Sequence, residues 1–288
     1  MELGYFTEGN VNKPYIIERQ NLLVDGKGRS GKSEMLIRLA LDDIYSGRKV
    51  IFIGNDSADT VLKHIPKELQ EESIYFNPSL QPMSANPFWW VPKERHNTTV
   101  ELFIDAILSK SPYSAGSTPV IENTVTPSVH TLLSKNVESP LSLHYLLTDD
   151  SYRESMVFGF SGTRVILDRT QALYWENFKK LSARDRLSRV DSTVNKLTKL
   201  VYDPALKNSF DQEGNYLSIE NQITLVSLDK YKLSGSGSSL AGALVIANLL
   251  SQADNNTDVT FYIDDAEQYG NRIIGKLLNH PSITTVLS

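Results

Sequence analysis

Gly26-Lys27-Gly28-Arg29-Ser30-Gly31-Lys32-Ser33 stands directly after the apolar run Asn21-Leu-Leu-Val-Asp25 and directly before Glu34 to Tyr45, where apolar residues recur at helical spacing. Strand, glycine-rich loop and helix in that order decide the fold. The glycines let backbone N–H groups wrap phosphate at a helix N-terminus, so Gly26, Gly28, Arg29, Ser30, Gly31, Lys32 and Ser33 read as a phosphate-binding loop. Within it Lys32 reaches the terminal phosphates as a catalytic charge, and Ser33 ligates Mg²⁺.

Gly26-x-Gly28-x-x-Gly31 also fits a dinucleotide fingerprint, and Asp56 lies where a ribose-binding acid would sit. Lys32-Ser33 has no role in that alternative. A second motif far downstream favours a nucleoside triphosphate instead. Phe261-Tyr-Ile-Asp264-Asp265 is an apolar strand ending in two carboxylates, the pattern in which Asp264 holds Mg²⁺ opposite Ser33 and Asp265 orients the attacking water. Glu267 is the rival for the base role, because Asp265 is one methylene shorter than the usual Glu.

Outward from the loop, Gly47 closes the first helix, Lys49-Val-Ile-Phe-Ile-Gly54 is a buried strand, Ser57 to Leu69 a helix, and Ser73 to Phe76 a third strand. Alternating elements of this kind give parallel βαβ units with their loops on one face. From about Pro82 the strand signals nearly vanish, and helical stretches run near 98–110, 118–135, 141–158 and 170–201. The βα pattern resumes with a strand at 222–228, helix 239–252, strand 259–263, helix 265–279 and strand 283–287. The expected architecture is an α/β core made of 1–81 and 214–288, with a mainly parallel sheet, interrupted by a mainly helical inserted domain at 82–213.

The chain has 288 residues and a formal net charge of −5, which argues against a generally basic nucleic-acid-binding surface. With no cysteine there is no disulfide framework or thiolate metal site, and the five histidines show no ligand spacing. Leu240 to Leu250 is too short to cross a bilayer and reads as a buried helix. No signal peptide is visible at Met1 to Phe6, so cytoplasmic residence is expected, peripheral to a membrane only through partners.

Ser33 and Asp264 are 231 positions apart, more than a compact kinase or small GTPase places between such motifs, which favours a motor-type ATPase. The chain here resembles the FtsK/HerA superfamily, and within it the type IV secretion coupling proteins and related conjugation ATPases. The resemblance rests on the P-loop, on Tyr75-Phe-Asn-Pro78 with Asn86-Pro-Phe88, on Arg189 to Leu197 with Asp203-Pro204, and on Tyr262 to Gln268. It implies a RecA/FtsK-like core, ATP and Mg²⁺ as ligands, DNA as the translocated partner, a hexameric ring, and a secretion or transfer machinery around it. Viral DNA packaging is the alternative within the superfamily; a nucleotide-binding adaptor that hydrolyses weakly is the alternative outside motors. Members usually carry an N-terminal membrane segment and commonly place a phosphate-sensing Gln at the end of the strand after Walker B; residues 1–288 show neither, as expected of a soluble relative or of a piece of a larger protein.

Arg186, Arg189 and Arg272 are the candidates for an arginine finger, each equally readable as a surface arginine. The basic stretch from Lys179 to Lys199 reads as the charged face of an amphipathic helix or as a DNA-facing helix. Ser234 to Ser239 reads as a flexible connection, and Trp89-Trp90 as a pair pinning a loop.

Overall fold

The computed structural model describes the chain except residues 1, 9, 10, 81, 82, 90, 110–117, 138, 160–166, 212, 213 and 215, and except the side chains of 2–16 and 118. Six strands form one all-parallel sheet: β3 (Leu22–Leu23), β4 (Val50–Gly54), β5 (Ile74–Phe76), β6 (Ile223–Ser227), β7 (Val259–Ile263) and β8 (Ile283–Leu287). Their order is β3-β8-β7-β4-β6-β5. The glycine loop therefore leaves an edge strand, and the acidic pair leaves β7, two strands further in, with β8 between them. A separate antiparallel ribbon, β1 (Glu2–Glu8) with β2 (Val11–Ile16), precedes the sheet and was not expected.

The central strands β4, β6 and β7 are buried along their whole length, as parallel strands covered on both faces must be. Alternation sorts their side chains. Val50, Phe52, Leu225 and Tyr262 meet α1 (Lys32–Tyr45) and α2 (Asp56–His64) on one face. Ile51, Ile53, Val226, Phe261 and Ile263 meet α12 (Gly235–Gln252) on the other. That second core continues without a break into the helical segment, where α4 (His96–Ile107) packs against α12.

The expected helix 57–69 is two. Pro66 drives Ile65 into extended backbone, so α2 stops at His64 and α3 (Lys67–Glu72) starts anew. Helix 141–158 likewise divides into α6 (Leu141–Thr148) and α7 (Asp150–Phe158) at Asp149, whose carboxylate accepts from Tyr152 N at 3.0 Å. The stretch 170–201 breaks at Ser182, whose hydroxyl accepts from Asp185 N, giving α8 (Arg169–Lys180) and α9 (Ala183–Tyr202). The remaining helices of the segment are α5 (Thr118–Ser134) and an unexpected α10 (Pro204–Asp211), which Asp203 caps through Ala205 N. Among the described residues of 82–213 there is no strand, only a bridge from Ser84 to Tyr216.

Ser234 to Ser239 is not a flexible connection. After the short α11 (Lys230–Leu233), Ser234 caps α12, accepting from Gly237 N at 3.3 Å, and Ser238 donates to Leu228 O at 2.9 Å. The expected helix 265–279 reduces to a 3-10 turn at Ala266–Gln268 and α13 (Asn271–Leu278), separated by Gly270 at φ 88°. Among the described residues no helix is long and apolar enough to cross a membrane.

Candidate active site

Parallel strands bring their carboxyl ends to one edge of the sheet, so the loops after β3, β4, β6 and β7 converge there. The glycine loop runs exposed from Gly26 into α1, with Arg29 at φ 62° and Gly31 at φ 87° in left-handed backbone. Gly31 stands at the N-cap with no side chain to close the helix, which leaves the first N–H groups of α1 facing outward. A Cβ on Gly26 would lie 2.5 Å from Ser30 Oγ, so a side chain there would make Ser30 turn away. Gly28 has no neighbour within 4 Å of such a position; its fit is open, not crowded. Lys32 Nζ donates to Gly26 O at 2.8 Å, and is thus held over the loop that it serves.

Ser33 Oγ donates to Asp264 Oδ1 at 2.9 Å. The two sequence motifs are therefore one site. Asp264 is nearly buried and its backbone N–H is tied to Ile53 O at 2.9 Å, so the carboxylate is fixed by the β4–β7 ladder. Ser288, at the end of β8 where a Gln was the expectation, donates through Oγ to Asp264 Oδ1 at 2.7 Å and accepts from Asp265 N at 2.9 Å.

Asp265 sits in left-handed backbone at φ 53°, which turns its carboxylate toward Lys230 Nζ at 3.4 Å and Gln268 Nε2 at 2.7 Å. Glu267, the rival base, is exposed on the 3-10 turn and does not line the cavity beside Ser33 and Asp264. That cavity measures about 410 Å³ and is bounded by α1 and α2 on one side and by Asp229, Lys230, Tyr231 and the acidic pair on the other. Beneath it Tyr269 is fully buried; burial first, then the charges of Asp264 and Asp265, push its hydroxyl far above the ordinary tyrosine range, so it stays neutral.

The donor set of Ser33 and Asp264 is all oxygen, as a hard cation requires. Two protein oxygens leave most of an octahedral shell for phosphate and water, which suits Mg²⁺. Among the described residues no cluster of three His, Cys, Asp or Glu competes for a metal.

Two of the three arginine-finger candidates pair with carboxylates away from the site, and the third, Arg189, is exposed on α9. Arg186 pairs with Asp150 at 3.5 Å, Arg272 with Asp105 at 3.5 Å and Glu122 at 3.4 Å, and the carbonyl of Arg189 accepts from Thr124 Oγ1. Asn77 and Asn86 are buried turn-formers, their side-chain oxygens accepting from Ser79 N and Phe88 N. Trp89 stacks on Tyr216 with ring centres 4.1 Å apart, a packing role; Trp90 lies outside the described residues. Sequence reading missed Asn55, Ser57, Lys230, Gln268 and Ser288. The rule that parallel strands gather their carboxyl ends, applied to β4 and β6 as well as to β7, points to the first three.

Comparison with protein-family models and with curated proteins finds no match. Solved structures do match. The plasmid coupling protein TrwB in complex with ADP and Mg²⁺ superposes at a TM-score of 0.65 with 14% identity, covering 100% of this chain and 68% of that one. TrwB with the non-hydrolysable GTP analogue GDPNP gives 0.64 at 13% identity, covering 93% and 62%. The bacterial conjugative coupling protein TrwBdeltaN70, unbound, gives 0.64 at 14%, covering 100% and 67%. This chain thus shares the fold of the TrwB chains over the matched part, and spans about two thirds of the solved chains' length.

Proposed function

We propose that this protein binds ATP with Mg²⁺ and hydrolyses it to move DNA, as a motor of the kind used in conjugative transfer or type IV secretion. The observation that carries the reading is the 2.9 Å hydrogen bond from Ser33 to Asp264, which brings the glycine loop and the acidic strand end together. The TrwB structures with ADP and Mg²⁺ and with a non-hydrolysable ATP analogue support the ligands.

In this reading Lys32 leaves the carbonyl of Gly26 for the terminal phosphates and balances the charge that builds on them. Ser33 and Asp264 would hold Mg²⁺, whose positive charge would offset the charge that develops on the phosphates. Asp265 orients water; its oxygen bonds to the γ-phosphorus as the bond to the β–γ bridging oxygen breaks, ADP leaves, and the water proton passes to Asp265 or the released phosphate. Residues 82–213 form the inserted helical domain. A hexameric ring around DNA, a transfer machinery as partner and cytoplasmic residence complete the proposal.

The test measures ATPase activity with and without single- and double-stranded DNA at low salt, on wild type and Lys32→Ala, with mass determination in solution. Mg²⁺-dependent turnover stimulated by DNA, lost in Lys32→Ala, and a ring-sized oligomer are expected. Turnover indifferent to DNA with no oligomer at any concentration overturns the motor. One observation favours a second reading: the Asp265 carboxylate is already engaged by Lys230 and Gln268, as suits an adaptor that binds nucleotide and hydrolyses it slowly. A biological role that survives Lys32→Ala supports that adaptor.

A further inference from the structure

The turn between β4 and α2 carries two side-chain atoms that the fold leaves without a hydrogen-bond partner, Asn55 Oδ1 and Ser57 Oγ. Ser57 is only 8% exposed. Buried polar atoms of this kind are nearly always paired, with protein or with water. Asn55 occupies the N-cap of α2, where an Asn side chain ordinarily accepts from the first turn, yet it makes no such bond. Its oxygen is therefore not spent on holding the helix.

The parallel register sets Ile53 beside Ile263, so the turn that follows Gly54 lies against Asp264. Gly54 is what lets Ser57 lean in: a Cβ on Gly54 would stand 2.3 Å from Ser57 Oγ and 3.3 Å from Asp264 Cβ. Asn55 and Ser57 line the same cavity as Ser33, Asp264 and Asp265. That cavity is already rich in carboxylates. A hydroxyl and an amide add hydrogen bonds to it without adding negative charge that would repel a phosphate.

We propose that Asn55 and Ser57 are the hydrogen-bonding partners of water held between a bound nucleotide's terminal phosphate and the carboxylates of Asp264 and Asp265. The β4–α2 turn is then a second half of the hydrolytic centre, an assignment that rests on the ATPase reading above. Ser57 offers a donor to the water oxygen, and Asn55 an acceptor for one of its protons. Polar walls in a roomy cavity are what ordered water requires.

The experiment uses Ser57→Ala and Asn55→Ala in the full chain. Three quantities are read: the melting temperature without nucleotide, affinity for ADP and for ADP with aluminium fluoride in Mg²⁺ by displacement of a fluorescent ADP, and kcat apart from KM. Ser57→Ala removes an unpaired buried hydroxyl, so its nucleotide-free melting temperature is expected to hold or rise. Affinity for ADP should stay within about twofold, while affinity for the aluminium fluoride complex and kcat fall about 10- to 100-fold. Asn55→Ala should repeat that pattern. Unchanged kcat and fluoride-complex affinity in both variants overturns the assignment, and so does a parallel loss of melting temperature, ADP affinity and turnover, which marks a structural role. A wild type that binds no ADP, or binds both complexes equally, sinks the ATPase reading itself and this inference with it.

Discussion

Ser33 and Asp264 lie 231 residues apart in sequence and 2.9 Å apart in space, hydroxyl donating to carboxylate. Asp264→Asn keeps the shape and still accepts from Ser33, but it removes the negative charge that a divalent cation needs. Fold and ADP affinity should therefore survive while Mg²⁺-dependent hydrolysis drops by about 10²-fold or more. Turnover across a Mg²⁺ titration, with a melting curve as control, checks this. Undiminished turnover at ordinary Mg²⁺ would remove Asp264 from the metal site.

Gly242 lies within α12 against the ring of Tyr269, and a Cβ there would come within 2.2 Å of the ring. Helix propensity alone favours Gly242→Ala by about 1 kcal/mol. Overpacking costs about 1–3 kcal/mol, and here the obstacle is a fully buried aromatic ring, so the clash wins. Tyr269 cannot retreat easily, because the adjacent Gly270 is already pressed on the carbonyl of Ser109. The expected net loss is up to about 2 kcal/mol, seen as a melting temperature lowered by up to about 6 °C. A rise in melting temperature would mean that the ring yields.

What could be read before the structure follows from burial. Strands β4, β6 and β7 announce themselves because both faces are covered and the runs are continuously apolar, and α12 because it is buried nearly all round. The β1–β2 ribbon carries no such signal, since a two-stranded pairing depends on its partner and not on a shared core. α10 was legible in principle: Asp203-Pro204 is a cap followed by a first-turn proline, here read only as part of a family segment. In the site, residues contiguous with the glycine loop were found from spacing. Asn55, Ser57 and Lys230 belong to other βα units, and only the strand order brings them beside Asp264.

Asp105 on α4 is nearly buried beside Arg272, and burial raises its carboxyl above the usual range against the opposing pull of Lys276 and Arg272. The folded state therefore holds this proton more tightly than the unfolded chain. Its contribution is favourable below the unfolded carboxylate range near pH 4 and is lost as pH rises through the raised value. Asp105→Asn cannot ionise and escapes that loss. Urea unfolding from about pH 3 to pH 7 should show the variant gaining on wild type as pH rises. A variant that instead loses ground with rising pH would show that the pairing with Arg272 outweighs burial.

Asp265 and Glu267 compete for the role of base, and their surroundings separate them. Asp265 lines the cavity with Ser33 and Asp264, while Glu267 faces solvent on the 3-10 turn. A general base must come within hydrogen-bond reach of the water it activates, directly or through one water. Asp265→Asn should therefore lower kcat by about 10²- to 10⁴-fold, the usual worth of such a group, and Glu267→Gln by less than about threefold. Lys230→Met supplies the control. Its ion pair with Asp265 is half exposed, so stability should change by less than about 1 kcal/mol. Yet it releases one of the two partners that hold the Asp265 carboxylate, so kcat should change while the melting temperature holds. If Glu267→Gln abolishes turnover and Asp265→Asn does not, the left-handed turn at Asp265 serves to present Glu267, and the base lies outside the cavity as it stands.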